Sequence, residues 1–205
     1  MKTQTKRTQE NLSPKDAHAI LVEGNKRFVE NLKAQRNLKD QVIETSKGQY
    51  PFAVILSCID SRVPAELVFD QGIGDIFSVR IAGNIVNEDV LGSMEYACKV
   101  AGSKIVVVMG HTKCGAVTSA CKHVELGNIT ALLSKIKPAV TLIEAKKDTM
   151  DDEAIEEVSV TNVKISIDRI RDESPILAQM EKDGNIEIVG AIYNVSNGKV
   201  EFFEG

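Results

Sequence analysis

Apolar residues along this 205-residue chain follow two distinct rhythms. From Pro14 to about Leu32 they recur at helical spacing, with Ala17, Ile20, Leu21, Phe28 and Leu32 on one stripe, the pattern of a helix that must cover an apolar surface. Ser13-Pro14-Lys15-Asp16 starts it: serine caps orphan N–H groups, proline suits the first helical position and Asp16 places negative charge in the first turn. Past Gly48-Gln49-Tyr50-Pro51 the rhythm changes to short continuous apolar runs, Phe52–Leu56, Ile76–Val79 and Ile105–Met109, as expected of strands buried on both faces. Between the last two, Val90–Val100 has helical spacing, with Leu91, Met94, Ala97 and Cys98 on one side. Residues 128–171 predict helix interrupted at Pro138 and at Asp151-Asp152-Glu153, and Ile186–Tyr193 with Val200–Phe203 predict a hairpin across Asn197-Gly198. Strands alternating with helices give an α/β fold, a mostly parallel central sheet with an antiparallel edge strand, flanked by helices. With no linker or repeat, residues 1–205 are expected to form a single domain, residues 1–35 being an N-terminal helical arm.

Composition changes this picture little. Hydrophobic residues at 43%, charged residues at 26% and a net charge of −4 are ordinary for a globular protein and exclude disorder. No apolar run approaches the ~18 residues of a membrane span, and Met1–Asn11 lacks the apolar core of a signal peptide, so a cytoplasmic protein without a membrane partner is expected. Residues 1–50 carry ten basic against six acidic side chains and the remainder fifteen against twenty-three, which argues against a nucleic-acid surface. Four cysteines without an export signal do not make a disulfide framework.

Chemistry enters where strands end, because ligands of open α/β sheets bind at the carboxyl edges. Cys58 follows the first predicted strand; His111 follows the third, with Cys114 three residues on. Singly these are weak signals, since a lone cysteine after a strand is more often a small core residue. Together they form a Cys2His set suited to Zn²⁺, with three protein ligands and an open fourth position. Asp60 and Arg62 follow Cys58 at a spacing that lets them lie on one side. Asp60 is then either a fourth ligand or a hydrogen-bond acceptor for water at the metal, held by an arginine fork.

The motifs Cys58-Ile59-Asp60-Ser61-Arg62 and Gly110-His111-Thr112-Lys113-Cys114-Gly115, with Val79-Arg80-Ile81-Ala82-Gly83-Asn84 between them, closely resemble those of the β-class carbonic anhydrases. The likeness runs from about Ser13 to the C-terminus. It implies a zinc enzyme interconverting carbon dioxide and bicarbonate, with one Zn²⁺ per chain on Cys58, His111 and Cys114, Asp60 and Arg62 as catalytic dyad, and Gly115 beside the substrate. It also implies a homodimer or dimer of dimers. Gln49, Phe77 and Tyr96 match one subgroup's substrate pocket, in which the zinc keeps its water, whereas in the other subgroup Asp60 can close onto the metal; Ala82 stands where some members carry a bulkier residue. By the same resemblance the arm embraces a second subunit, and Gln49, Phe77 and Tyr96 complete a pocket around that subunit's zinc. His18 and His123 are the other histidines available as proton carriers, and Cys98 and Cys121 fall on apolar helix faces. Two rivals stand beside this reading: a carbonyl sulfide or carbon disulfide hydrolase on the same scaffold, and a non-catalytic zinc or thiol-sensing module, which gives Asp60, Arg62 and Gln49 no role.

Overall fold

The computed structural model describes residues 2–204. In chain order the elements are α1 (Lys6–Glu10), α2 (Pro14–Val29), α3 (Leu38–Thr45), β1 (Ala53–Ser57), α4 (Ala65–Val68), β2 (Ile76–Arg80), α5 (Glu88–Glu95), β3 (Ile105–His111), α6 (Gly115–Cys121), α7 (Gly127–Leu133), α8 (Lys137–Glu144), α9 (Asp152–Glu173), α10 (Pro175–Lys182), β4 (Glu187–Tyr193) and β5 (Val200–Glu204). One five-stranded sheet has the order β2-β1-β3-β4-β5. All its neighbours are parallel except β4 and β5, the architecture that the alternation of strands and helices predicts.

Every residue of β1 and β3 is buried, and the two-residue period of a strand divides them between two cores. Ala53, Ile55, Ile105, Val107 and Met109 face a layer containing Ala17, Leu21, Phe52 and Phe69. Val54, Leu56, Val106 and Val108 face Met94, Val163, Ile167, Ile170 and Leu177. A third cluster, with Val117, Ile136, Val140, Ile143, Ala154 and Val158, closes over Cys58 and Cys114 at the carboxyl edge of the sheet.

The structure alters three expectations. Ser13 and Asp16 form a reciprocal capping box at the start of α2, but the helix stops at Val29; Asn31 turns left-handed (φ 55°), and Leu32 leaves the stripe at 60% exposure. Ala17 and Leu21 are buried within the chain's own core, and Ile20 and Phe28 pack beside them. The stripe therefore covers its own sheet, and these four residues do not call for a second subunit. The approach is close: a Cβ at Gly24 would lie 1.9 Å from the Phe69 carbonyl oxygen. The break expected at Pro138 is present, between α7 and α8, with Pro138 in the first turn of α8; α5, by contrast, passes into a wide π turn, Tyr96–Val100. Among the described residues no helix is long and apolar enough to cross a membrane.

The segment after α2 is fastened by Asp70, the left-handed residue that ends α4 (φ 44°). Its carboxylate accepts from Arg27 Nε and Arg36 Nη1, each at 2.6 Å, and from the Ala34 N–H at 3.1 Å. Asp70 and Arg36 side chains are 7% and 6% exposed. Burial opposes ionisation, but these donors outweigh it and hold Asp70 below the ordinary aspartate value of 3.8. A depressed folded value contributes stability fully above pH 3.8 that is lost as pH falls through the lower folded value. Asp70→Asn should thus cost about 3–5 kcal/mol at neutral pH, because it leaves two guanidinium groups facing a neutral amide. Urea unfolding at pH 7 and below pH 3 checks this, with the gap between parent and variant shrinking at the acid end.

Candidate metal centre

The register of the sheet builds the site. Ser57 of β1 pairs with Met109 of β3, and β3 runs two residues further, so Cys58 leaves its strand beside one that still extends to His111. Cys114 follows as the extended N-cap residue of α6 (φ −71°, ψ 118°). Donor atoms of Cys58, His111 and Cys114 all lie within 4.8 Å of one another, and the three residues are 4%, 0% and 1% exposed. Among the described residues this is the one such grouping able to hold a metal ion.

Two observations test its fit to a metal. His111 Nδ1 lies 2.9 Å from the Thr112 carbonyl oxygen; a carbonyl only accepts, so Nδ1 carries the proton and Nε2 keeps its lone pair. That Nε2 is buried without a hydrogen-bond partner, a cost of ~1–3 kcal/mol unless something electropositive faces it. The sulfurs, secondly, share a proton. Donation from Cys114 outweighs burial and holds Cys58 well below the ordinary thiol value, helped by the Gly83 N–H at 3.4 Å. The same contact, with burial, pushes Cys114 up. Two soft sulfurs and an imidazole lone pair around one point are a donor set for a borderline-soft divalent ion, zinc foremost.

Asp60 and Arg62 stand at the mouth of this cluster. Arg62 grips the carboxylate with Nε on Oδ1 at 2.9 Å and Nη2 on Oδ2 at 2.8 Å, and its own N–H adds a bond to Oδ1 at 2.9 Å. These donors bring Asp60 down to about 2. Asp60 Oδ2 is 4.0 Å from His111 Nε2, so the carboxylate faces the donor set while Arg62 holds it to one side.

Sequence reasoning missed the supports. Arg80, at the end of β2, donates to the Cys58 and Asp60 carbonyls at 3.0 and 2.6 Å, pinning the loop between them. Gly83 has φ 69°, and a Cβ there would lie 2.6 Å from Ile136; its carbonyl accepts from Asn162 Nδ2 at 2.8 Å. Glu156 Oε1 accepts the Lys113 N–H at 2.7 Å. Arg80 and Gly83 lie inside the motif between the two ligand segments, which is the signal that could have found them. Asn162 and Glu156 sit on α9 with no local mark.

Of the remaining candidates, only Gly115 adjoins the cluster within one chain. Gly115 opens α6 directly after Cys114, where an added Cβ would meet nothing within 4 Å. Gln49 is exposed ahead of β1, at the opposite edge of the sheet from Cys58. Phe77 and Tyr96 meet edge-on, with ring centroids 6.3 Å apart, and line a cleft of about 520 Å³ with Ser78, Val79, Glu88 and Asp89. His18 pairs with Glu187 at the far edge and His123 with Glu144. Cys98 and Cys121 are buried, as their helix faces predict.

A family model described as carbonic anhydrase matches residues 53–200. Carbonic anhydrase 2 of Mycobacterium tuberculosis is 34% identical over 195 residues, 92% of each chain. The carbonic anhydrase of Mycolicibacterium smegmatis is 33% identical over 198 residues, 93% of this chain and 94% of its own. Among solved structures, the β-carbonic anhydrase CafA of Aspergillus fumigatus superposes with a TM-score of 0.73 at 28% identity, covering 80% of this chain and 81% of that one.

The shared proton makes a direct prediction. Metal-free protein at neutral pH should show ultraviolet thiolate absorbance from Cys58, since burial pushes Cys98 up to about 12 and raises Cys121 as well. Cys114→Ala removes the main donor, so the Cys58 value must rise and the neutral-pH absorbance fall. An unchanged titration in that variant would count against the shared proton.

Proposed function

Because the chain belongs to the β-class carbonic anhydrase family and is a carbonic anhydrase, a lyase, we propose that it reversibly hydrates carbon dioxide to bicarbonate and a proton with one Zn²⁺ on Cys58, His111 and Cys114. The observation that carries the metal reading is the convergence of three soft donors within 4.8 Å, one a buried imidazole nitrogen with no other partner. Zinc, when bound, supplies a Lewis acid that brings the ionisation of a water near neutral pH.

The chain's own residues do the rest. Asp60, ionised down to about pH 2, accepts a hydrogen from the attacking water at Oδ2 and so aims an oxygen lone pair at the carbon of carbon dioxide. Arg62 supplies the two-point grip that keeps Asp60 from moving onto the ligand cluster. A non-catalytic module would have no use for an ionised carboxylate held 4.0 Å from a ligand nitrogen. Gly115 leaves space beside Cys114 for the substrate. Gln49, Phe77 and Tyr96 serve the site of a second copy, in at least a homodimer. Supporting this, all three lie away from their own cluster, and among the described residues β2 is an edge strand paired only with β1.

Replacing Cys58, His111 or Cys114 with Ala should remove most of the bound zinc, read by metal analysis of the purified chain. Asp60→Asn should keep zinc and lose hydration activity by about 10²-fold or more, the scale of losing one well-placed orienting contact at the reacting atoms. Arg62→Ala should fall by about 10–100-fold through loss of orientation. Stopped-flow hydration measures both, and parallel assays with carbonyl sulfide and carbon disulfide separate the rival gas hydrolases. Full activity in both variants would reduce the pair to an incidental ion pair.

The shared pocket has its own test. Mixing inactive Cys58→Ala chains with inactive Gln49→Ala chains should restore part of the activity, because one pairing carries an intact metal cluster beside an intact pocket wall. A fully active monomer in sedimentation at assay concentration would refute the shared site.

A further inference from the structure

Lys113 is the strained point of the ligand turn. Its φ of 55° puts a residue with a full side chain in the left-handed region, at a cost of about 1–2 kcal/mol, and such a conformation persists only where surrounding contacts over-determine it. Two residues separate His111 from Cys114, so relaxation at 113 would move one ligand relative to the other. Side chains from other elements take both backbone polar groups of Lys113. Its N–H donates to Glu156 Oε1 at 2.7 Å, and its carbonyl accepts from Arg62 Nη2 at 3.2 Å. The same Nη2 holds Asp60 Oδ2. Glu156, Lys113, Arg62 and Asp60 thus form one continuous chain from α9 to the carboxylate at the cluster. Its far end is firm: α9 is anchored by Ala154, Val158, Val163 and Ile167, all fully buried.

We propose that Glu156 is a positioning residue, which holds Lys113 in the left-handed conformation and thereby sets Cys114 against His111 and Arg62 against Asp60. This rests on the zinc reading of the cluster. Glu156 touches neither the ligand atoms nor the substrate space; its carboxylate acts through one backbone N–H. The role belongs to the hydrogen bond and not to the negative charge, because the carboxylate's contact with this turn is one oxygen accepting the Lys113 N–H.

The test uses the full chain loaded with zinc and follows release of the metal to a chromophoric chelator. Glu156→Ala should release zinc about 10–100-fold faster than the parent, the usual effect of removing a support behind a metal ligand. Glu156→Gln keeps an acceptor oxygen without the charge and should stay close to the parent. Adding Lys113→Gly to Glu156→Ala should recover much of the loss, since glycine adopts this φ without strain; a purely structural role of Glu156 in its helix would not respond to residue 113. Glu156 is only partly buried, so its truncation leaves the apolar face of α9 intact. Parent-like release from Glu156→Ala, fast release from Glu156→Gln, or no recovery with glycine at 113 would each overturn the positioning role while leaving the zinc reading in place. A parent chain that retains no zinc would overturn the zinc reading and this inference with it.

Discussion

The parallel pairing of β1 with β3 is the constraint on which the rest depends. Cys58 and His111 come from segments far apart in the chain, and only the register Ser57 to Met109 brings them side by side. A slip of one residue would turn every side chain of a strand to the opposite face. Both faces resist that slip, since Ile55, Val107 and Met109 fill one core while Leu56, Val106 and Val108 fill the other. Apolar packing therefore fixes the chemistry, although none of these strand side chains takes part in it. Cys114 follows from the same cause through the short turn that closes onto α6.

Two aspartates in arginine grips divide the labour of the molecule. Asp70 is held by Arg27 and Arg36 in a nearly water-free setting, where its carboxylate fastens the segment after α2 to the end of α4. The Asp60 carboxylate is gripped by Arg62 alone, whose side chain is 49% exposed. The first arrangement exchanges a desolvation cost for geometry and is strongly destabilised by losing its anion. The second contributes little to stability, as exposed pairs generally do. What it supplies is a carboxylate ionised at any working pH and pointed at a buried ligand nitrogen. Burial decides which of two chemically similar pairs is structural.

Legibility in the sequence followed the range of the interaction. Phe52–Leu56 and Ile105–Met109 were readable as strands because a strand buried on both faces leaves an unbroken apolar run, and the ligands were readable because soft side chains stood at the ends of those runs. The short helices α1, α3 and α4 span too few turns to leave a period. Leu32 looked like a stripe residue because its spacing fits; the left-handed turn at Asn31 that removes it carries no apolar signature. Glu156 and Asn162 were invisible for a different reason. Each supports the site with one hydrogen bond across a long sequence separation, and on an amphipathic helix such residues look like ordinary polar positions.

A single chain places the two parts of the proposed site at different ends of one sheet. The donor cluster lies at the carboxyl edge, whereas Gln49 precedes β1 at the other and Phe77 pairs with Val54 near the start of that strand. No hinge within the chain can bring these together, because β1, buried along its whole length, lies between them. A two-fold axis at the outer edge of β2 can. It would run two copies of that strand antiparallel, carrying the amino edge of one sheet toward the carboxyl edge of the other, and being isologous it would complete two sites at once. The half-buried face of β2 and the aromatic pair beside it fit a strand that is covered by a neighbour better than one left to water. On this proposed geometry catalytic competence would be a property of the pair of chains, while the donor cluster and its carboxylate belong to each chain alone.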